Sequence, residues 1–360
     1  MRPLAPEYIR QLDPYIPGQS IPDLIKLASN ENPFGPSPKV LEAIRATMSD
    51  VHLYPVAHRK ALKEKICDLN AGFSLRIDQI VLGNGSTELI TLLVRSLVGP
   101  EEIVMTGWPS FLMYRLATRA HNRVELAVPL TPELEYDLDA MAEALHGPDK
   151  DRIKIIFLAN PNNPTGRYIS AEKLDRFLVQ VPPQVVVVLD EAYIEYANAP
   201  DYPNGLRIVA TRPRTVVLRT FSKAYGLAGL RIAYAACDPA IAELLQRVRD
   251  PFNVNSLAQA AALAALNDQE YLERSIRSNA SQMALFFRKF DELGIKATPS
   301  AGNFVLAHFG NAAAVHESLI DNGIIVRPVA NYGLTGSLRI TVGRPLENEA
   351  LFTALKSLGS

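Results

Sequence analysis

The chain has 360 residues, 48% of them hydrophobic and 21% charged, which is enough to bury a large core and to form two domains. A net charge of −1 leaves no basic excess for a phosphate backbone and no basic amphipathic stripe for a lipid surface, so nucleic-acid and membrane partners are not expected. The two cysteines, Cys67 and Cys237, lie far apart and outside any metal spacing, the six histidines form no ligand pattern, and neither a signal segment nor a bilayer-spanning run is present. The expectation is a cytoplasmic protein without a metal site.

In chain order, residues 1–30 are rich in proline and lack sustained periodicity, as expected of an arm that packs on another domain or subunit. Over residues 31–250 strand and helix signals alternate, which predicts an α/β domain with a mainly parallel sheet covered by helices on both faces. Residues 251–360 read as a smaller α+β domain, opening with long helices over 256–293 and continuing in short strands and helices. Tyr54 stands in Leu-Tyr-Pro just before a charged helical segment at 59–65, where its hydroxyl would cap a local turn or reach elsewhere. A short strand at 78–82 passes through Gly-Asn-Gly into an apolar helix over 86–98. Gly85, Ser86 and Thr87 therefore offer a phosphate the unsatisfied N–H groups and dipole of a helix start. Ser86 with Glu88 also reads as an ordinary N-cap and first-turn acid. The third glycine of a dinucleotide fingerprint is missing, and no Walker loop follows.

Three further strands deliver polar residues to what should be one edge of the sheet. The strand at 154–159 leads into Asn-Pro-Asn-Asn-Pro-Thr-Gly at 160–166, a rigid turn in which Asn163 is the candidate to meet a ligand. The β-branched run at 185–190 ends in Asp190, with Tyr193 three residues on. A carboxylate there needs a partner: a protonated pyridine nitrogen, a helix start or a buried cation would each serve. The strand at 215–221 ends in Ser222-Lys223 before Gly226 and Gly229, which allow sharp turning and close approach. Lys223 at the carboxyl end of a strand is a candidate Schiff-base nucleophile or a solvated surface lysine. Arg231 could clamp a phosphate together with Ser222. Lysine, aspartate and anion seat together fit one cofactor, pyridoxal 5'-phosphate. Arg327 and Arg339 follow apolar strand segments, where they would hold either substrate anions or framework salt bridges.

At this point the chain resembles a known family. The run T-F-S-K-A-Y-G-L-A-G at 220–229 fits the lysine signature of class II pyridoxal-phosphate aminotransferases. The order G-S-T, N-P-T-G, D-E-A-Y, S-K, R is that of fold type I enzymes. L-D-P-Y-I-P-G at 12–18, L-A-S-N-E-N-P at 27–33, R-P-V-A-N-Y-G-L at 327–334 and L-R-I-T-V-G at 338–343 resemble the histidinol-phosphate aminotransferase subfamily. The resemblance implies that Lys223 carries the cofactor as a Schiff base, Asp190 pairs with the pyridine nitrogen, and Asn163 and Tyr193 meet the ring oxygen. Gly85, Ser86, Thr87, Ser222 and Arg231 would hold the phosphate, with Tyr54 reaching it from the neighbouring subunit of a homodimer. Phe111 would stack on the ring, and Tyr15, Arg327 and Arg339 would face the substrate. Phe111 stands where many relatives have tyrosine, and Thr87 where close relatives have an acid. The implied reaction is transamination between L-histidinol phosphate and 2-oxoglutarate. The alternatives are an aromatic amino acid aminotransferase, a decarboxylase of an O-phosphorylated amino acid, or a regulatory module with an idle cofactor.

Overall fold

The computed structural model describes residues 3–14, 18, 21–56 and 58–358. After the short strand β1 (Ile25–Leu27), seven strands build one sheet: β2 (Ile80–Gly83), β3 (Ile103–Trp108), β4 (Val124–Pro129), β5 (Ile153–Ala159), β6 (Val186–Asp190), β7 (Thr215–Thr220) and β8 (Ala233–Cys237). Their spatial order is β2-β8-β7-β6-β5-β3-β4. β8 is antiparallel to both neighbours, and the remaining pairs are parallel. The unbroken apolar runs have a simple cause. Successive side chains point to opposite faces, and both faces are covered: Val187 and Val217 enter one buried cluster, Val188 and Val216 the other.

The last four strands, β9 (Lys296–Thr298), β10 (Phe304–His308), β11 (Ile324–Pro328) and β12 (Ser337–Thr341), form a second sheet with β1 in the order β1-β11-β12-β10-β9. β1 lies within the stretch read as an arm, yet it pairs in parallel with β11 and buries Leu27 in the core of the second lobe. Helix Ser256–Leu266 packs Ala258, Ala261 and Ala262 with Val40 and Leu62, so the first lobe's core continues past residue 250. The long helix Gln269–Glu292 then places Met283, Phe286 and Phe290 in the second lobe against Phe352.

This topology creates one functional edge. β2, β3, β5, β6 and β7 run in the same direction, and β8, being antiparallel, starts where they end: Ala233 is in register with both Gly83 and Thr220. The segments after β2, β3, β5 and β7, the end of β6 and the entry to β8 therefore converge, as ligand sites in open α/β sheets require. The turn after β7 is held close to the segment that follows β1. Gly226 has φ +70°, and a Cβ there would run into the Gly35 carbonyl. Gly226→Ala is expected to cost about 1–3 kcal/mol from backbone strain alone, read as a lowered urea midpoint with an unchanged m-value.

Candidate active site

A cleft of about 200 Å³ opens at this edge, lined by Ser86, Thr87, Phe111, Asn163, Asp190, Tyr193, Ser222, Lys223, Arg231, Arg327 and Arg339. Residues from five strand ends of the first lobe and two strands of the second thus meet in one place. Gly85 lies behind Arg231: at φ +75°, a Cβ on it would sit 2.5 Å from the guanidinium Nη2, so only glycine lets the arginine lie against the helix start. Tyr54 does not enter the cleft of its own chain. It is 73% exposed and stacks on Phe252 with ring centroids 4.3 Å apart. Tyr15 lies outside the described residues.

Lys223 follows β7, and its Nζ donates to the carbonyl of Ser29 at 3.1 Å. Burial, then the neighbouring Arg339 and Arg231, lower its pKa to about 8, against the opposing pull of Glu31 and Asp190. Asp190 is 3% exposed. Burial raises its carboxyl to about 6, although the hydroxyl of Tyr114 and the N–H of Ala192 pull it down. Its Oδ2 accepts from Tyr114 at 2.9 Å, whereas Oδ1 is buried without a hydrogen-bond partner. A buried carboxylate oxygen left so is a seat for a cationic N–H donor.

The ring-oxygen candidates are oriented by their other bonds. Asn163 accepts from Arg339 Nη1 at 2.6 Å through Oδ1, which turns its amide nitrogen into the cleft as a donor. Tyr193 accepts from Asn30 Nδ2 at 2.9 Å, directing its own proton elsewhere. Burial pushes the Tyr193 phenol up to about 12, so it stays protonated at neutral pH. The anion seat also differs in detail from its alternative reading. The helix is Gly85–Leu97 with Asn84 at the N-cap, so Ser86 lies inside the first turn and faces the cleft. Glu88 Oε2 satisfies the Asn84 N–H at 2.5 Å and accepts from Asn253 at 2.9 Å, keeping that carboxylate directed away from the anion.

Sequence reasoning assigned no role to four contributors. Tyr114, fully buried in helix Met113–Ala120, holds Asp190, and nothing in its local sequence distinguishes it from an ordinary core tyrosine. Asn30 and Ser29, within the L-A-S-N-E-N-P motif at 27–33, reach the site from the segment after β1, but that motif does not by itself say which residues they would meet. Tyr332, part of a motif noted for its likeness to relatives, lines the cleft and stacks on Trp108 at 5.6 Å.

A seven-stranded mainly parallel sheet with a lysine, an unpartnered carboxylate oxygen and a helix start at its carboxyl edge is the architecture of fold type I pyridoxal-phosphate-dependent transferases. The chain belongs to the aminotransferase class I and II family, whose model matches residues 22–355. It is 44% identical to histidinol-phosphate aminotransferase 2 of Pseudomonas fluorescens, over 98% of this chain and 96% of the relative. It is 43% identical to a histidinol-phosphate aminotransferase of Anaeromyxobacter, over 98% of each chain. The crystal structure of histidinol-phosphate aminotransferase from Sinorhizobium meliloti, in complex with pyridoxal-5'-phosphate, superposes with a TM-score of 0.86 at 29% identity, over 98% of this chain and 97% of that one.

The lowered lysine pKa has a measurable sign. Neutral amine accumulates as pH rises through the folded-state value, so single-site acylation of Lys223 in cofactor-free protein should increase with a midpoint near 8. Peptide mapping of the labelled lysine checks this; a midpoint near the ordinary 10.5 would contradict it.

Proposed function

We propose that this aminotransferase is a cytoplasmic homodimer that moves the amino group of L-histidinol phosphate to 2-oxoglutarate, giving imidazole acetol phosphate and L-glutamate in histidine biosynthesis. The observation that carries the substrate class is the register of β11 and β12, in which Arg327 and Arg339 are direct cross-strand partners and both line the cleft. Like charges opposite one another destabilise a sheet unless an anion lies between or beyond them. Arg339 is 7% exposed, while Arg327 is only half-buried and also borders the wider opening beside Trp108. One deep and one outer guanidinium suit a carboxylate in one half-reaction and a more distant phosphate in the other. The names of the 44% and 43% identical relatives support the same substrate.

When bound, pyridoxal phosphate supplies an aldehyde carbon to carry the amino group and a protonated ring that takes up electron density from the substrate's α-carbon. The residues of this chain divide the remaining work. Lys223 would hold the cofactor through its amine and, once displaced by substrate, would take the proton from the α-carbon and return it at the neighbouring position; a pKa near 8 suits both directions. Asp190 Oδ1 would accept the ring N–H, and Tyr193 and Asn163 would donate to the ring oxygen. Gly85, Ser86, Thr87, Ser222 and Arg231 would receive the phosphate, and Phe111 would wall one face of the ring. Facing the substrate would be Tyr15, Arg327 and Arg339.

Loss of one charge-assisted contact costs about 1.5–3 kcal/mol. Arg327→Ala is therefore expected to lower kcat/KM for histidinol phosphate by about 10- to 150-fold with little effect on phenylalanine, while Arg339→Ala harms every substrate. Single-turnover reaction of the loaded enzyme with histidinol phosphate, phenylalanine, tyrosine and phosphothreonine tests the assignment. A faster reaction with phenylalanine or tyrosine makes the chain an aromatic amino acid aminotransferase, and carbon dioxide release from phosphothreonine makes it a decarboxylase.

The exposed Tyr54 supports a site shared between two subunits. Met48, Val51, Leu53, Tyr54, Val56 and Phe252 are large apolar side chains left open to solvent within one region of the surface. Refolding a mixture of inactive Tyr54→Ala and Lys223→Ala chains should restore activity through hybrid dimers that hold one intact site. A fully active monomer in sedimentation would end the dimer reading. The free Cys67 and Cys237 are compatible with a reducing compartment.

A further inference from the structure

Asp190 is held by one side chain that the reaction scheme above does not use. Tyr114 is completely buried in helix Met113–Ala120, its ring flat against Phe157 (centroids 4.7 Å apart, planes at 11°) and edge-on to Phe111 at 5.7 Å. Packed between these rings, the phenol can turn its hydroxyl in few directions, and it donates to Asp190 Oδ2 at 2.9 Å. The other oxygen, Oδ1, is the one without a partner. The terminal torsion of an aspartate is broad and roughly two-fold, so an unheld carboxylate would present either oxygen or take up a proton.

We propose that Tyr114 is the positioning residue of the site: its hydroxyl pins Oδ2, so that Asp190 stays ionised and offers Oδ1 alone to the cofactor's ring nitrogen. This rests on the pyridoxal-phosphate reading of the cleft. The groups that act on the Asp190 carboxyl come from several elements. Burial and Glu191 favour the neutral acid, whereas the Tyr114 hydroxyl, the Ala192 N–H and Lys223 favour the anion. Among the stabilising three, Tyr114 is the first in size. Burial and the nearby carboxylate in turn raise the Tyr114 phenol well above its ordinary value, so it remains a proton donor across the working pH range.

Tyr114→Phe removes the hydroxyl and keeps the ring, so the stacking against Phe157 and Phe111 survives. Two measurements separate positioning from mere packing. The first needs no cofactor: carbon-13 NMR of the labelled Asp190 carboxyl in apo protein, where the midpoint should rise by about one unit or more in Tyr114→Phe. Incorporating 3-fluorotyrosine at 114, a more acidic donor of nearly the same shape, should lower it. A purely structural residue would move neither, or both in one direction. The second is pyridoxal-phosphate affinity in a double-mutant cycle. Tyr114→Phe should weaken binding about 10-fold when Asp190 is present and not at all in the Asp190→Asn background, because the phenol acts through that carboxylate. An unchanged midpoint in Tyr114→Phe, or equal losses of affinity in both backgrounds, overturns the proposal. Failure of the wild-type protein to bind pyridoxal phosphate would instead overturn the reading of the site, and the carboxyl titration would still decide whether Tyr114 governs Asp190.

Discussion

Burying Asp190 at the end of β6 costs several kcal/mol unless its oxygens find donors, and among the described residues one oxygen has Tyr114 while the other has none. Much of the cleft follows from that imbalance. A cationic N–H in front of Oδ1 would complete the carboxylate, and Lys223, after β7, lines the same cleft. Tyr193 and Asn163, the candidates for the ring oxygen, are in turn oriented by Asn30 and Arg339. Asp190, Tyr193 and Asn163 are therefore each held by a bond to a residue behind them, the usual condition for a preorganised site.

The second constraint is positive charge. Lys223, Arg231, Arg327 and Arg339 line one small cleft, and burial, reinforced by Arg339 and Arg231, lowers the lysine pKa to about 8. Four cations so close repel one another; a phosphate at the start of helix Gly85–Leu97 and an anion beside the arginines would offset that repulsion. The same cations would thus serve two ends, attracting anions and adding to the burial that keeps a fraction of the amine neutral near physiological pH.

The two lobes are joined at the site itself. Arg339, in the middle of β12, donates to Asn163 of the first lobe at 2.6 Å and to the carbonyl of Ala28 at 2.7 Å. Asn30 bonds Tyr193, and Asn303 of the second lobe donates to the Asn30 carbonyl at 3.1 Å. The segment that follows β1 therefore lies between the lobes and contacts both. A substitution that shifts one lobe would therefore move Arg339 relative to Asn163 and Tyr193.

Local pattern was sufficient for much of this protein. The β-branched run ending in Asp190, the proline-bounded turn of Asn163, the glycine turn before Ser86 and the small-residue turn after Lys223 each state in a few neighbouring residues what the backbone must do there, and strand direction then sends all four to one edge. The arm was harder to read because β1 is three residues long, and its strand character comes from pairing with β11, some 300 residues later in the chain. Tyr114 was not legible because a buried tyrosine in an amphipathic helix looks like core; its role depends on Asp190 being within 2.9 Å, a distance between residues 76 positions apart. That Arg327 and Arg339 stand opposite one another and both line the cleft was not legible either, because it depends on the antiparallel register of β11 and β12. Composition, periodicity and turn chemistry act over a handful of residues and so determine elements and the chemistry at their ends. Which oxygen of a carboxylate is satisfied, which arginine lies deep and which tyrosine stays exposed are set by side chains distant in sequence, and only tertiary packing decides them.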